Sequence, residues 1–433
     1  MTPLPHRYPK ELPRSDVFQI TTSGESLDVL HHTAAHHASF ECDGSVAIEI
    51  TFAQPVKSVL VRPLRHGITV EITDRKARFE IPGPTLLQVE VAGLPLLYLY
   101  ALPPAQEAPA GAHVKRFEAG RIHEAGMITL NDGEICWIEP GAVVSGAIRA
   151  QGCSGVRVGG YGIFEGSFWP RHEGRRLKSI VFENCRDCSV ENLLMLGPTS
   201  WMVVLANCEN ARVRGVRQIA DDVSSDGIDI VGSREVRISG CMLHNGDDNI
   251  AIKALKDNPG QNHENWNNPV EDVVVSSCAF YNIHGGSAME IGYETSTESI
   301  RNVRFDDIDV LAVHNFGSVF GIHSGDRALV ENITWENIRV EHHYDKLVDF
   351  RLVWSRWNRD AERGHARNLL LRNITVTQIA PNVGYTLSVI AGYDADHAIE
   401  NVRFQNFVLG GRRVQNADQL DLVTRHAHGV TFE

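Results

Sequence analysis

Three aspartates carry the chemistry that this sequence could do. Asp226 opens a turn in SSDGIDIV, and the adjacent Asp247 and Asp248 close another in HNGDDNIAIK, with 21 residues from Asp226 to Asp247. Each acidic cluster precedes a short apolar alternation, first Ile228 and Ile230, then Ile250 and Ile252. If that spacing is one coil of a repeating β structure, the clusters occupy neighbouring rungs about 4.8 Å apart. Asp226 and Asp247 then lie side by side, with Asp248 next to them. Carboxylates so close repel, so at least one holds its proton more tightly. A protonated acid beside ionised carboxylates suits glycosidic cleavage, which needs a proton donor for the leaving oxygen and a base for water. A lone Asp-Gly is more often only a turn. Two acidic turns in register across one coil form a stronger signal.

The elements that must position these turns are legible as repeats. From about residue 115, short β segments recur: Val190, Val213 and Val236 follow in steps of 23, as do Asn184-Cys185 and Asn207-Cys208. Later copies read Asn302-Val303, Asn332-Ile333, Asn373-Ile374 and Asn401-Val402. A strand-and-turn period of 20–30 residues without helical patterning signals a β-solenoid whose equivalent residues stack. Cys185-x-x-Cys188 reads as part of an inward-facing ladder, because no second pair completes a zinc site. The phase breaks at 254–270, 340–366 and 376–398, which read as loops or excursions from the coil. Residues 1–100 are β-rich without repeats, in runs such as VAIEITF and ARFEIPG, and read as a small antiparallel sandwich. PPAQEAPAGAH (103–113) reads as a linker or an ordered crossover. The chain is therefore divided into an N-terminal β-sandwich domain, 1–112, and a parallel β-helix catalytic domain, 113–433.

Composition excludes several partners. With 43% hydrophobic residues the chain can bury a large core, and no apolar run reaches the roughly 18 residues of a membrane span. The N-terminus has no signal-peptide core, so a cytoplasmic protein is expected. A net charge of −13 without a basic block argues against nucleic acid. The 8 cysteines are too sparse for a disulfide scaffold. HHTAAHH (31–37) lacks acidic partners and reads as surface, so no metal site and no cofactor are inferred. The oligomeric state is open.

The stretch DGIDIVGSREVRISGCMLHNGDDNIAIK resembles the catalytic segment of the polygalacturonase family of glycoside hydrolases. Those enzymes carry N-T-D-G-(I/V)-D, one β-helix coil, and then D-D-C-(I/V)-A-(I/V). Ser225 replaces the Thr and Asn249 the Cys, while Asp226, Gly227, Asp229, Asp247 and Asp248 are kept. The resemblance spans about 115–410 and implies an all-β, right-handed parallel β-helix and inverting hydrolysis. It makes Asp247 the general acid, with Asp226 and Asp248 holding and deprotonating water and Asp229 a buried partner. His284, in the stretch 283–295, matches the His of the family's Gly-His-Gly turn and is expected to orient an aspartate. Glu290 and Glu294 follow as candidate substrate contacts, as do Lys253, His323 and Trp201. Trp169, Trp266, Trp354 and Trp357 are further aromatic platforms, and Arg351, Arg356 and Arg359 further polar contacts.

One departure bears on the substrate. Where the family grips a galacturonate carboxylate with Arg-Ile-Lys, this chain has Gly321-Ile322-His323. Loss of both cations leads to the expectation of a neutral α-linked sugar, in an oligosaccharide or glycoside. The N-terminal sandwich is similar to that of the dextranase and isopullulanase family and points the same way. The alternatives are a polygalacturonase-type uronide hydrolase, a β-helix polysaccharide lyase, or a non-catalytic carbohydrate-binding solenoid.

Overall fold

A computed structural model describes residues 2–167, 177–257, 264–282, 284–314, 316–377 and 387–433. The first hundred residues form two sheets. In the five-stranded one, Val46–Phe52 pairs antiparallel with Phe18–Thr22 and Lys76–Ile81, and its alternating residues Ile48 and Ile50 enter a core with Phe18, Phe79, Leu87 and Leu99. In the six-stranded one, Leu97–Leu102 pairs parallel with His36–Glu41, a departure from the antiparallel expectation. Both of these strands are buried at every position, because one side faces the sandwich core and the other the β-helix. The surface reading of 31–37 is thereby corrected: Ala35, His36 and His37 are buried, and within the stretch only His31 and Thr33 are exposed. Residues 103–113 cross over to the helix without strand structure, held where Glu41 accepts from the Ala105 amide at 2.8 Å.

From Val114 to Phe432 the described strands form one 29-stranded sheet wound as a right-handed parallel β-helix. Val190 pairs with Val213, a step of 23, as read from the sequence. The next step is 25, however, and brings Ile238, not Val236, onto Val213. The two extra residues fall in the turn 220–227, the one that carries Asp226. The asparagines stack as expected, but at exposed bends with φ between 49° and 58°, where Asn tolerates the left-handed conformation. Asn302, Asn332, Asn368 and Asn401 form one ladder, with bonds of 3.3, 3.2 and 3.3 Å. Asn373 belongs to a second, between Asn337 and Asn406. The cysteines Cys185, Cys188, Cys208, Cys241 and Cys278 do face inward, into the apolar core. Two presumed excursions contain rungs: Val348–Leu352 pairs with Phe320–Ser324, and Ser388–Ala391 follows it.

One face of the helix packs on the N-terminal sheets through Leu194, Ile219, Met242 and Leu311 against Tyr8, Tyr98 and Tyr100. Arg62, bonded to Glu341 at 2.5 Å, and Arg65, 2.7 Å from Asp307 and from Asp309, tie the units at the edge. Inside the coil, Trp335 is fully buried and stacks on Phe305 and Phe350 at 6.0 and 5.1 Å. Trp335→Ala is expected to cost about 3–5 kcal/mol in denaturant unfolding. A cost below about 1 kcal/mol would mean that this stack does not hold the later coils together.

Candidate active site

Parallel pairing lines up residues from successive coils into columns. Ile228, Ile250, Met289, Phe320 and Val348 are in register and point inward. One residue on, the outward column reads Asp229, Ala251, Glu290, Gly321, Asp349. Two further on, Gly292, His323 and Arg351 align, beyond Val231 and Lys253. Two residues before the inward column, at the turn, the backbone bonds from Gly227 to Asp248, Asn249 to Ser287 and Ala288 to Ser318 stack Asp226, Asp248, Ser287 and Ser318. The rung partner of Asp226 is thus Asp248, not Asp247, because the paired strands are offset by 22 residues, not 21. Asp247 stands one residue earlier, and all three aspartates are brought together: their nearest carboxylate oxygens lie within 4.8 Å of one another.

These side chains line a cavity of about 290 Å³ together with Trp201, Lys253, Ser287, Glu290, Tyr293, Glu294, Phe316, His323, Asp349, Arg351 and Trp357. Asp247 accepts from the amides of Ser224 at 2.8 Å and Asp248 at 3.1 Å, and Asp248 accepts from Ser287 N at 2.6 Å. Burial, then the charge of Asp226, pushes the Asp247 carboxyl up to about 6. Burial, then Asp247 and Asp226, also pushes the Asp248 carboxyl well up. Lys253 Nζ bonds Asp226 at 2.6 Å, lies 3.0 Å from Asp229, and sits 4.1 Å from the Trp201 ring centre. Burial opposes its charge, but the surrounding carboxylates outweigh that and hold the ammonium charged. Asp229 and Glu294 are both buried, and burial raises both.

His323 is where sequence reasoning about charge fails. Its Nδ1 bonds Glu290 at 2.7 Å and its Nε2 lies 3.1 Å from Asp349. Burial works against its charge, but those carboxylates prevail and raise it to about 9. A cation therefore does stand on that coil, and Arg351 adds another on the next. Gly321 explains the missing Arg: a Cβ there would strike the Glu290 carboxylate that the histidine needs. Glu290 is a buried partner of His323.

His284 is exposed and is not brought to the cavity. What its turn delivers is backbone: the Ser287 amide to Asp248, and Gly286, whose φ of +71° and absent Cβ let the chain pass against the Asp247–Asp248 peptide. Of the aromatics, Trp201 and Trp357 line the cavity; Trp266 is buried against Val204, Val231 and Leu255, and Trp354 is exposed outside it. Trp169 lies outside the described residues. Arg356 covers Trp357, and Arg359 contacts backbone carbonyls. Sequence reasoning missed a buried amide network behind the aspartates. Gln218 donates to Gly227 O at 2.9 Å, Asn245 to Gln218 at 3.0 Å, Asn249 to Asn245 at 2.8 Å, and Asn282 to Asp247 O at 2.6 Å. The signal available was Asn249 itself, an amide in an otherwise apolar strand start.

A family model described as glycosyl hydrolases family 28 matches residues 142–426. The chain belongs to that family. A "Probable exopolygalacturonase C" of Aspergillus terreus is 30% identical over 143 residues, 33% of this chain and 29% of that protein, so the chain spans less than a third of the relative it matches. Among solved structures, Dex49A from Penicillium minioluteum superposes with a TM-score of 0.68 at 13% identity, over 95% of this chain and 92% of that one. The family 28 exopolygalacturonase of Yersinia enterocolitica gives 0.57 at 11%, over 90% and 97%. Both structural likenesses concern the fold, and both extend over the N-terminal sheets as well as the helix.

Two pH dependences follow for this family 28 site. An acid at about 6 loses its proton as pH rises, so the alkaline limb of kcat/KM is expected near pH 6. Asp247→Asn should abolish that limb and lower kcat by roughly 10²–10⁴-fold. His323 is raised from 6.5 to about 9, so it contributes stability below pH 6.5 that is lost as pH rises through 9. The stability gap between wild type and His323→Gln, of order 3 kcal/mol, should therefore close across that window. A gap independent of pH would remove the ion pairs as its cause.

Proposed function

We propose that this family 28 hydrolase cleaves α-linked galacturonides from the end of a chain, with inversion at the anomeric carbon. The observation that carries the uronide is the pair of basic side chains in the cavity wall, His323 held between Glu290 and Asp349, and Arg351 beside it. The expectation of a neutral sugar rested on the absence of both cations, and that premise fails once His323 and Arg351 line the cavity. The relatives named as exopolygalacturonases favour the same alternative and support action on chain ends.

In this reading, Asp247 protonates the leaving oxygen. Of the charges that raise Asp248, that of Asp247 is the largest, so a proton on Asp247 lowers the cost of ionising Asp248 against the burial that still opposes it. Asp248 and Asp226, stacked at rung spacing, then hold and deprotonate the water. Oxygens within 4.8 Å are closer than the roughly 6.5–9.5 Å usual between an inverting acid and base. The third carboxylate accommodates this, because the water sits against a pair and not in the gap between acid and base. Lys253 keeps Asp226 oriented and offsets its charge.

The test is hydrolysis of α-linked digalacturonide and of a neutral α-linked disaccharide, with the first-formed anomer followed by NMR. Release of the β-anomer from the uronide, lost in Asp247→Asn, is expected. Cleavage of the neutral sugar alone would overturn the uronide reading, and first release of the α-anomer would overturn inversion.

A further inference from the structure

We propose that Arg351 reads a carboxylate of the substrate and so sets the preference for an acidic over a neutral sugar. This rests on the uronide reading above and adds the residue that enforces it. Asp349 holds one edge of the guanidinium, with Nε 2.6 Å from one carboxylate oxygen and Nη2 2.7 Å from the other. The Nη2 contact is a hydrogen bond, and the close Nε contact is a charge pairing that orients the group further. The remaining edge, Nη1, has no protein partner among the described residues. Arg351 lines the cavity, and its side chain keeps 38% of its exposure while Asp349 and His323 beneath it keep 3% and 5%. It is a half-buried, oriented anchor with one open face.

Charge bookkeeping around it is balanced. Glu290, His323, Asp349 and Arg351 form a group of two carboxylates and two cations, joined at 2.7 Å between Glu290 and His323 and at 3.1 Å between His323 and Asp349. Burial opposes the Asp349 charge, but His323 and Arg351 hold its carboxyl low. Without His323 and Asp349, Arg351 would be either unpositioned or unbalanced. With them, a substrate carboxylate meets a fixed donor pair and no uncompensated neighbour.

Position gives the inference its reach. Arg351 lies on the third rung beyond that of Asp248, roughly 14 Å along the axis. Its Nη2 comes within 3.1 Å of the His323 ring, one rung back toward the aspartates. Protonated His323 and Arg351 are both donors, so that closeness is a shared attraction to Asp349 and not a hydrogen bond between them. The carboxylate so recognised lies at the opposite end of the cavity from the proton transfer. Arg351 is therefore a specificity residue and takes no part in the bond-breaking step.

The experiment compares digalacturonide with its methyl ester, which keeps the sugar and removes the charge, on wild type, Arg351→Gln and Arg351→Lys. The ratio of kcat/KM for acid over ester is expected to fall at least tenfold in Arg351→Gln, mainly through KM for the acid. Arg351→Lys, which keeps the charge but not the planar fork, should fall between. If the glutamine variant does not fold, the lysine variant alone carries the test. An acid-over-ester ratio equal to wild type overturns the role of Arg351 and leaves the uronide reading standing. Equal loss on both substrates makes the residue structural. A wild-type enzyme without activity on either galacturonide overturns the uronide reading and this inference with it.

Discussion

Everything at this site depends on the spacing of parallel strands. Backbone hydrogen bonds hold successive coils about 4.8 Å apart, and the apolar residues Ile228, Ile250, Met289, Phe320 and Val348 lock each rung by facing inward. Side chains distant in sequence thereby become neighbours at fixed intervals. Asp226 meets Asp248, and His323 meets Arg351, because the ladder leaves them no other level. The constraint also fixes how crowded the charges must be, since a stacked pair of carboxylates cannot relax apart without breaking a rung.

Crowding of that kind is tolerable only with compensation. The cavity holds more acids than bases, yet burial favours protonation of Asp229, Asp247, Asp248 and Glu294, while the surrounding carboxylates keep Lys253 and His323 charged. The amide network of Gln218, Asn245, Asn249 and Asn282 works from behind. It gives the backbone of Gly227 and Asp247 directed partners in a place where water has no access. The acids are thus positioned by neutral groups and tuned by charged ones.

The sequence was readable where one residue suffices to make the point. Periodic Val and Cys positions announced a solenoid, and Asp226, Asp247 and Asp248 announced the cluster that its turns bring together. It was less readable where two distant residues act together. The charge of His323 requires Glu290, 33 residues earlier, and Asp349, and Gly321 looks like a loss until the carboxylate filling its place is seen. Register slipped where coils differ in length: Val236 stood in for Ile238, Asp247 for Asp248, and Asn373 for Asn368. Val348–Leu352 read as an excursion because its copy of the repeat lacks an Asn-apolar signature. His284 was singled out by its match to a motif, but its own turn delivers the Ser287 amide in its stead.

The turn 220–227 is two residues longer than its counterpart one coil earlier, while the strands on either side keep their pairing. Corners of this helix can thus gain or lose residues without disturbing the stack beneath them. Such a scaffold separates heritable change in reactivity from change in architecture. A short insertion at one corner re-aims a single aspartate against neighbours that stay still, so new specificities can be sampled by lengthening turns while the apolar ladder remains under its own, independent selection.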